Sequence, residues 1–136
     1  GSLERKTPAL EIQGDLTLVL KKGTESELLS AGAALKKGAG TLTIRGEGSL
    51  RLQGETALEG EWKEETLNQD EPSALRIEGG KLVFTGEETA LYEDTVELAG
   101  GEIQIQCLNG KGTGIRAHTL DDRHFSGSLE MEESEE

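Results

Sequence analysis

Apolar and polar residues alternate along this chain in short runs that come in pairs, and the pair recurs four times. Each pair reads apolar-x-apolar-x-Gly, a turn, and then apolar-x-apolar. Alternation with a period of two is typical of a half-buried β-strand. The four pairs are Leu10-x-Ile12 with Leu16-x-Leu18, Leu42-x-Ile44 with Leu50-x-Leu52, Leu75-x-Ile77 with Leu82-x-Phe84, and Val96-x-Leu98 with Ile103-x-Ile105.

A third short apolar element follows each pair, at 33–35, 56–58, 89–91 and 113–115. The bare unit therefore has three strand-like pieces separated by glycine-bearing corners. Such a unit is one coil of a parallel β-solenoid, which buries its apolar side chains only by stacking on its neighbours. The sequence predicts an all-β fold, a short right-handed parallel β-helix of about four coils.

Stacking of these units predicts a register and a domain organisation. The first pairs of units one and two are aligned, so that Leu10 lies beside Leu42 and Leu16 beside Leu50. Residues 21–32 and 59–73 then become insertions at two corners of a single domain spanning 1–129, and 130–136 becomes an acidic flexible tail.

Both ends of a solenoid need protection, because they expose unpaired strand edges. Thr24-x-x-Glu27 matches a helix capping box and predicts a short helix within the first insertion. The alternating segment 125–131 predicts a final strand before the tail.

An antiparallel β-sandwich or barrel is the alternative fold. Glu78-Gly79-Gly80-Lys81 and Ala99-Gly100-Gly101-Glu102 match two-residue hairpin turns. However, the spacing between paired runs varies from four to six residues, and a simple meander has no place for the third element. The solenoid is therefore favoured.

Composition and charge argue against two classes of function. The formal net charge is −13, whereas proteins that grip nucleic acid or anionic membranes need a basic surface. No stretch approaches the roughly 20 apolar residues of a membrane span. We therefore expect neither nucleic-acid binding nor membrane insertion. Aromatic residues make up only 3%, as suits a narrow aliphatic interior, and the lone Cys107 excludes an internal disulfide.

Two acidic pairs, Glu93-Asp94 and Asp121-Asp122, are candidate metal ligands. Each is placed at a corner after the third strand of a unit, where loops from adjacent coils converge. Ca²⁺ is bound by several carboxylate and carbonyl oxygens, so we take these four residues as candidate calcium ligands. The alternative is that they are acids on solvent-facing turns.

Other side chains are weaker candidates. His118 and His124 flank the second acidic pair, but their spacing matches no standard metal template. Trp62, in the long polar insertion, and Tyr92 are candidate ligand-binding residues, because an exposed ring can stack on a sugar. Trp62 would otherwise anchor its loop on the solenoid.

Four phrases of the sequence resemble a known bacterial repeat. They are Gly14-Asp-Leu-Thr-Leu18, the run from Gly40 to Gly54, the run from Ile77 to Phe84, and the run from Gly112 to Ala117. These are similar to right-handed parallel β-helix domains of bacterial surface and secreted proteins, including the carbohydrate-binding domain-containing family. The resemblance covers roughly residues 9 to 120.

The resemblance implies an extracellular or cell-surface location, with acidic polysaccharide and calcium as ligands. This chain departs from the family at Ala57-Leu58 and Ala90-Leu91, where an Asp-Gly-Ile corner is common. Only Gly114-Ile115 keeps the last two residues of that corner. No ligand residue is therefore carried over.

We expect a non-catalytic binding or adhesion module of a bacterial surface or secreted protein, with polysaccharide as ligand. Replacing Trp62 by Ala should then weaken glycan binding. One alternative is a structural or protein-interaction segment that self-associates end to end or side by side. A pectin-lyase-like enzyme is least favoured: it needs acids and an arginine on one outer strand face, with Arg45, Arg51 and Arg76 as candidates.

Overall fold

A computed structural model of the chain describes residues 10–60, 73–87, 89–108, 114–117, 119–123 and 125–133. Within these ranges the regular structure is entirely β-strand, in three parallel five-stranded sheets. Sheet A contains β1 (Leu10–Ile12), β4 (Ala33–Lys37), β7 (Thr56–Glu59), β10 (Leu91–Tyr92) and β13 (Ile115–Arg116). Sheet B contains β2 (Leu16–Leu20), β5 (Gly40–Gly46), β8 (Ser73–Ile77), β11 (Thr95–Leu98) and β14 (Thr119–Asp121). Sheet C contains β3 (Glu25–Leu29), β6 (Ser49–Gln53), β9 (Lys81–Gly86), β12 (Glu102–Cys107) and β15 (Ser128–Glu133).

Consecutive strands enter sheets A, B and C in turn, so each set of three strands makes one coil. Each strand pairs in parallel with the strand three positions along the chain. The predicted parallel β-solenoid is confirmed, and the antiparallel alternative is wrong. The chain winds about four times between coil 1 (β1–β3) and coil 5 (β13–β15).

The interior consists of aliphatic ladders that run from coil to coil. In coils 2 to 4 the ladders follow the predicted register, with Leu42 beside Leu75 and Leu75 beside Val96. All three side chains have no exposed surface. Phe84, the one aromatic in the buried cluster, stacks between Leu52 and Ile105. Aliphatic side chains of similar size fill the narrow interior.

The predicted register of coil 1 is wrong. Leu10 pairs with Leu35 in sheet A, and Leu16 pairs with Leu42 in sheet B, so the first unit is displaced by one strand. The error has a simple cause, because the same apolar-x-apolar pattern recurs in all three sheets. The pattern alone does not say which sheet a given pair enters.

The same displacement corrects the assignment of 21–32 as an insertion. Its central residues form β3, which pairs with β6 in sheet C, and the predicted short helix does not form. The hydroxyl of Thr24 donates a hydrogen bond to the carbonyl of Lys21, 2.5 Å away, within a turn. Pairing with a neighbouring strand has overridden the local capping pattern, as tertiary contacts often do.

The last strand reaches two residues further along the chain than the sequence indicated. The final strand was predicted over 125–131, and β15 occupies Ser128–Glu133. Glu130 pairs with Gln104 of β12, so the segment predicted as a tail from residue 130 begins inside a sheet. Within the described ranges, no helix has the length and apolar character needed to cross a membrane.

Most of the second predicted insertion, 61–72, lies outside the described residues, but its two flanks are well defined. Lys36 pairs with Glu59 and Gly40 with Ser73, so Gly60 and Ser73 stand where coil 2 has Lys37 and Gly40. Only residues 38 and 39 separate those two positions in coil 2. Two residues are therefore enough to join β7 to β8.

Replacing 61–72 by Gly-Ala, the pair found at 38–39, should leave the solenoid intact. Shortening the connection lowers the entropic cost of closing it by about 1–2 kcal/mol, so the melting temperature should stay the same or rise by about 4 °C. Far-UV circular dichroism and thermal unfolding measure this. A control chain carrying twelve Gly and Ser residues at 61–72 separates length from sequence. Loss of cooperative unfolding in the short chain would contradict the assigned register.

Candidate functional site

Charged side chains lie inside the solenoid at the corner between sheets A and B. Lys37 follows Leu35 by two residues in β4, and strand alternation points both side chains inward. The next positions in the same ladder are Gly60 in coil 3 and Glu93 in coil 4. The side chains of Lys37 and Glu93 are 1% and 0% exposed.

The buried cluster of Lys37, Ser73 and Glu93 is closely connected. Nζ of Lys37 lies 2.9 Å from Oε2 of Glu93 and donates to Oγ of Ser73 at 2.8 Å. Ser73 Oγ in turn donates to Oε1 of Glu93 at 2.6 Å. Nζ also donates to the backbone carbonyls of Gly38 and Gly40, at 3.1 and 2.8 Å. Such contacts are what a buried ion pair requires.

Gly60 allows the pair to form. Lys37 and Glu93 belong to coils 2 and 4, so their side chains meet only across the position that coil 3 occupies between them. A Cβ at residue 60 would overlap the carboxylate of Glu93. The backbone N–H of Gly60 donates to the carbonyl of Tyr92 at 2.5 Å, which holds coil 3 in the stack.

The buried cluster has a structural role that its position makes plain. Gly60 and Ser73 are the described residues on either side of 61–72, and the ion pair joins coils 2 and 4 beside them. Ser73 is itself held by both charged partners. The cluster therefore fixes both flanks of the 61–72 segment on the solenoid.

The four predicted calcium ligands do not gather at one place. Glu93 lies inside the solenoid against Lys37, not on a solvent-facing turn. Asp94 is half-buried, Asp122 is exposed, and Asp121 accepts hydrogen bonds from the guanidinium of Arg123. Across the residues with described positions, no three His, Cys, Asp or Glu side chains form a group that could hold a metal ion. Calcium binding stays a prediction.

Of the two aromatic residues predicted to bind a ligand, Tyr92 lies among the described residues. Tyr92 is half-buried on the outer side of sheet A, where it pairs with Glu59 and Arg116. Trp62, together with His118 and His124, lies outside the described residues.

Of the three arginines considered for catalysis, Arg76 lies among acids on the outer face of sheet B. Its guanidinium contacts Glu97 and lies 2.6 Å from Oε2 of Glu78. The hydrogen bond and charge of Glu97, then those of Glu78, raise the pKa of Arg76 above its usual value. Both carboxylates are paired with the same guanidinium. Arg45 is exposed, and Arg51 lies 4.0 Å from Glu27 on sheet C.

A different surface, the corner groove, runs along the boundary between sheets B and C. It is an open groove of about 730 Å³ to which all five coils contribute. Glycines form much of its lining: Gly23, Gly46, Gly48, Gly79, Gly80, Gly101 and Gly127. Stacking requires glycine at several of these positions. A Cβ at Gly46 or Gly48 would overlap the backbone of coil 1, and a Cβ at Gly79 or Gly127 would overlap the backbone of the coil before it.

Polar side chains line the corner groove between the glycines. Two lysines, Lys22 and Lys81, and three glutamates, Glu25, Glu47 and Glu102, supply its charges. Hydroxyls also line it, including that of Ser126. Sequence reasoning found the glycine corners but did not place them in one line, since that alignment exists only once the coils stack.

Substitutions in the buried cluster should lower the free energy of unfolding by more than the small change in side-chain volume suggests. Glu93→Gln leaves the Lys37 ammonium without a buried counter-charge, and we expect a loss of about 3–5 kcal/mol in the free energy of unfolding. The double variant Lys37→Met/Glu93→Gln removes both charges and should recover at least half of that loss. Urea unfolding measures each value. An additive double variant would contradict the pairing.

Gly60→Ala should be similarly destabilising, by about 3 kcal/mol, because its Cβ displaces the Glu93 carboxylate. The matched control is Gly38→Ala at the same corner of coil 2. A Cβ there meets only the Gln13 side chain at an ordinary 3.5 Å. Equal losses in the two variants would show that residue 60 needs no special space.

Comparison of the chain with protein-family models, curated proteins and solved structures finds no significant match. The β-solenoid therefore rests on the strand pairing itself, and a family assignment remains the prediction that the sequence resemblance carries.

Proposed function

We propose that this protein is a non-catalytic binding module that holds a polysaccharide chain lengthwise in the corner groove. The observation that carries the proposal is the continuity of this groove across all five coils. A surface assembled from one contribution per coil suits a ligand that is itself a linear repeat. Successive coils are about 4.8 Å apart, so equivalent contacts recur at that spacing along the groove.

The chemistry of the corner groove suits a sugar polymer. Glycines carry no side chain, so that a ligand can approach the backbone closely. Lysine, glutamate and serine side chains add donors and acceptors on both sides. Many modest polar contacts of this kind give specificity for hydroxyl-rich ligands.

The charge of the groove indicates which polysaccharide it prefers. Two lysines against three glutamates leave the lining near neutrality, whereas the chain as a whole carries −13. An acidic polymer would be repelled by the rest of the surface unless a cation intervened. An uncharged polysaccharide is therefore the preferred ligand. The resemblance to bacterial surface solenoids supports an extracellular setting. It is also the reason for testing binding with and without calcium.

The variant Lys81→Ala/Glu102→Ala should weaken glycan binding by about ten-fold, because both side chains line the groove. The two changes cancel in net charge, and both residues are exposed, so folding should be unaffected. Titration against neutral and acidic glycans, with and without calcium, measures the dissociation constant. If only acidic glycans bind, and only when calcium is present, the ligand site would instead be assigned to the corners that carry the two acidic pairs.

The matched control is Lys36→Ala/Glu59→Ala, the same chemical change on the outer side of sheet A. Its binding should stay within about two-fold of the parent. Equal weakening in both variants, or no binding to any glycan under either condition, would contradict the corner groove as the ligand site.

A second candidate function is a structural or protein-interaction segment. It is favoured by one specific observation, the exposure of inward-facing leucines in coil 1. Leu10 and Leu16 are 37% and 41% exposed, although they occupy ladders that are fully buried in coils 2 to 4.

A further inference from the structure

We propose that coil 5 of one copy of this chain docks on coil 1 of a second copy, head to tail, so that all three sheets continue across the contact. The coil-1 end is the outer edge of β1, β2 and β3, and the coil-5 end is the outer edge of β13, β14 and β15. This inference is independent of the proposed polysaccharide site.

The two ends expose side chains that belong to the interior. At the coil-1 end these are Leu10 and Leu16, whose partners Leu35 and Leu42 are 1% and 0% exposed. At the coil-5 end Leu120 continues the buried ladder of sheet B and is 47% exposed. Apolar surface at both ends of a stack is surface that another coil would bury.

The described part of the solenoid also presents a strand edge at each end. Among the described strands, β1, β2 and β3 are outermost at one end of their sheets, and β13, β14 and β15 at the other. Edge strands are usually protected by charge, but β2, with the sequence Leu-Thr-Leu-Val-Leu, carries none. Its outward Val19 is 62% exposed.

Head-to-tail docking follows from the polarity of the strands. All pairing in the solenoid is parallel, so only the coil-5 end offers the coil-1 end the same geometry as an internal coil. The internal register, continued by one coil, places Ile115 beside Leu10 of the next copy and Leu120 beside Leu16. It also places Arg116 beside Glu11, an attractive pair.

Contact between two coil-1 ends is disfavoured. It would bring acidic residues of β1 and β3 together, namely Glu11, Glu25 and Glu27. The proposed arrangement has one repulsive pair of its own, since the continued register places Glu130 beside Glu27 of the next copy. Together with a net charge of −13 per copy, this pair makes the association weak and concentration-dependent.

Sedimentation velocity over a range of concentrations tests the proposal. The 136-residue chain should show an average mass that rises above 14.6 kDa and continues past the dimer, because a head-to-tail contact leaves both ends open. Glu130→Lys converts the repulsive pair into an attractive one and should strengthen association about three-fold. The control Glu87→Lys makes the same charge change at an exposed position of coil 3 and should give the smaller effect.

A charge-reversal cycle identifies the contact itself. Glu11→Arg and Arg116→Glu should each weaken association about three-fold, and the double variant should restore it. Within one chain these residues belong to coils 1 and 5, about 19 Å apart and beyond the Debye length at physiological salt. Coupling between them therefore reports contact between copies. Both residues are exposed, so the variants should fold.

Several results would overturn the proposal. Additive charge reversals would exclude the Glu11–Arg116 contact, and growth that stops at a dimer would indicate paired like ends. A chain that stays monomeric, both as the parent and as Glu130→Lys, would mean that the coil ends are covered in some other way.

Discussion

A coil of this solenoid has too little interior to bury its own apolar side chains, and this constraint governs the rest of the structure. Each leucine, isoleucine or valine of the interior is covered by its counterpart one coil away, as Leu75 is by Leu42 and Val96. Parallel pairing keeps those counterparts in register. The repeat in the sequence is therefore the physical condition for a core, because a coil with a different pattern would leave its neighbours exposed.

The two corners that flank sheet B are built differently under this constraint. At the corner between sheets A and B, the ion pair of Lys37 with Glu93 crosses a coil whose own residue is only Gly60. The side chains of Lys37 and Glu93 are buried there. At the corner between sheets B and C, glycines bring successive turns close together and leave an open groove beside them. Glycine thus makes room for a buried ion pair at one corner and leaves an accessible surface at the other.

The constraint also accounts for the unusual features of the ends. Inward positions of coils 1 and 5 lack a neighbour on one side, so Leu16 and Leu120 keep exposed surface. Acidic residues such as Glu27 and Glu130 lie on the same edges and oppose uncontrolled stacking. The proposed ligand groove along the length and the proposed stacking at the ends are compatible, since a head-to-tail contact meets the groove only at its two ends. Copies stacked head to tail would extend the groove.

Strand alternation and the recurring glycine corners were enough to predict a parallel solenoid and the stacking of coils 2 to 4. They also contained an unused signal, since alternation places Lys37 on the same face as Leu35. The sequence by itself did not determine the register of coil 1, because an apolar-x-apolar pair looks alike in every sheet. Only tertiary structure decided that Glu93 is buried, that Gly60 is needed beside it, and that seven of the described glycines line one groove. Each of these depends on which residues lie one or two coils apart, a distance of some 20 to 56 positions along the chain. Because the spacing varies from coil to coil, such neighbours cannot be identified from the sequence before the coils are stacked.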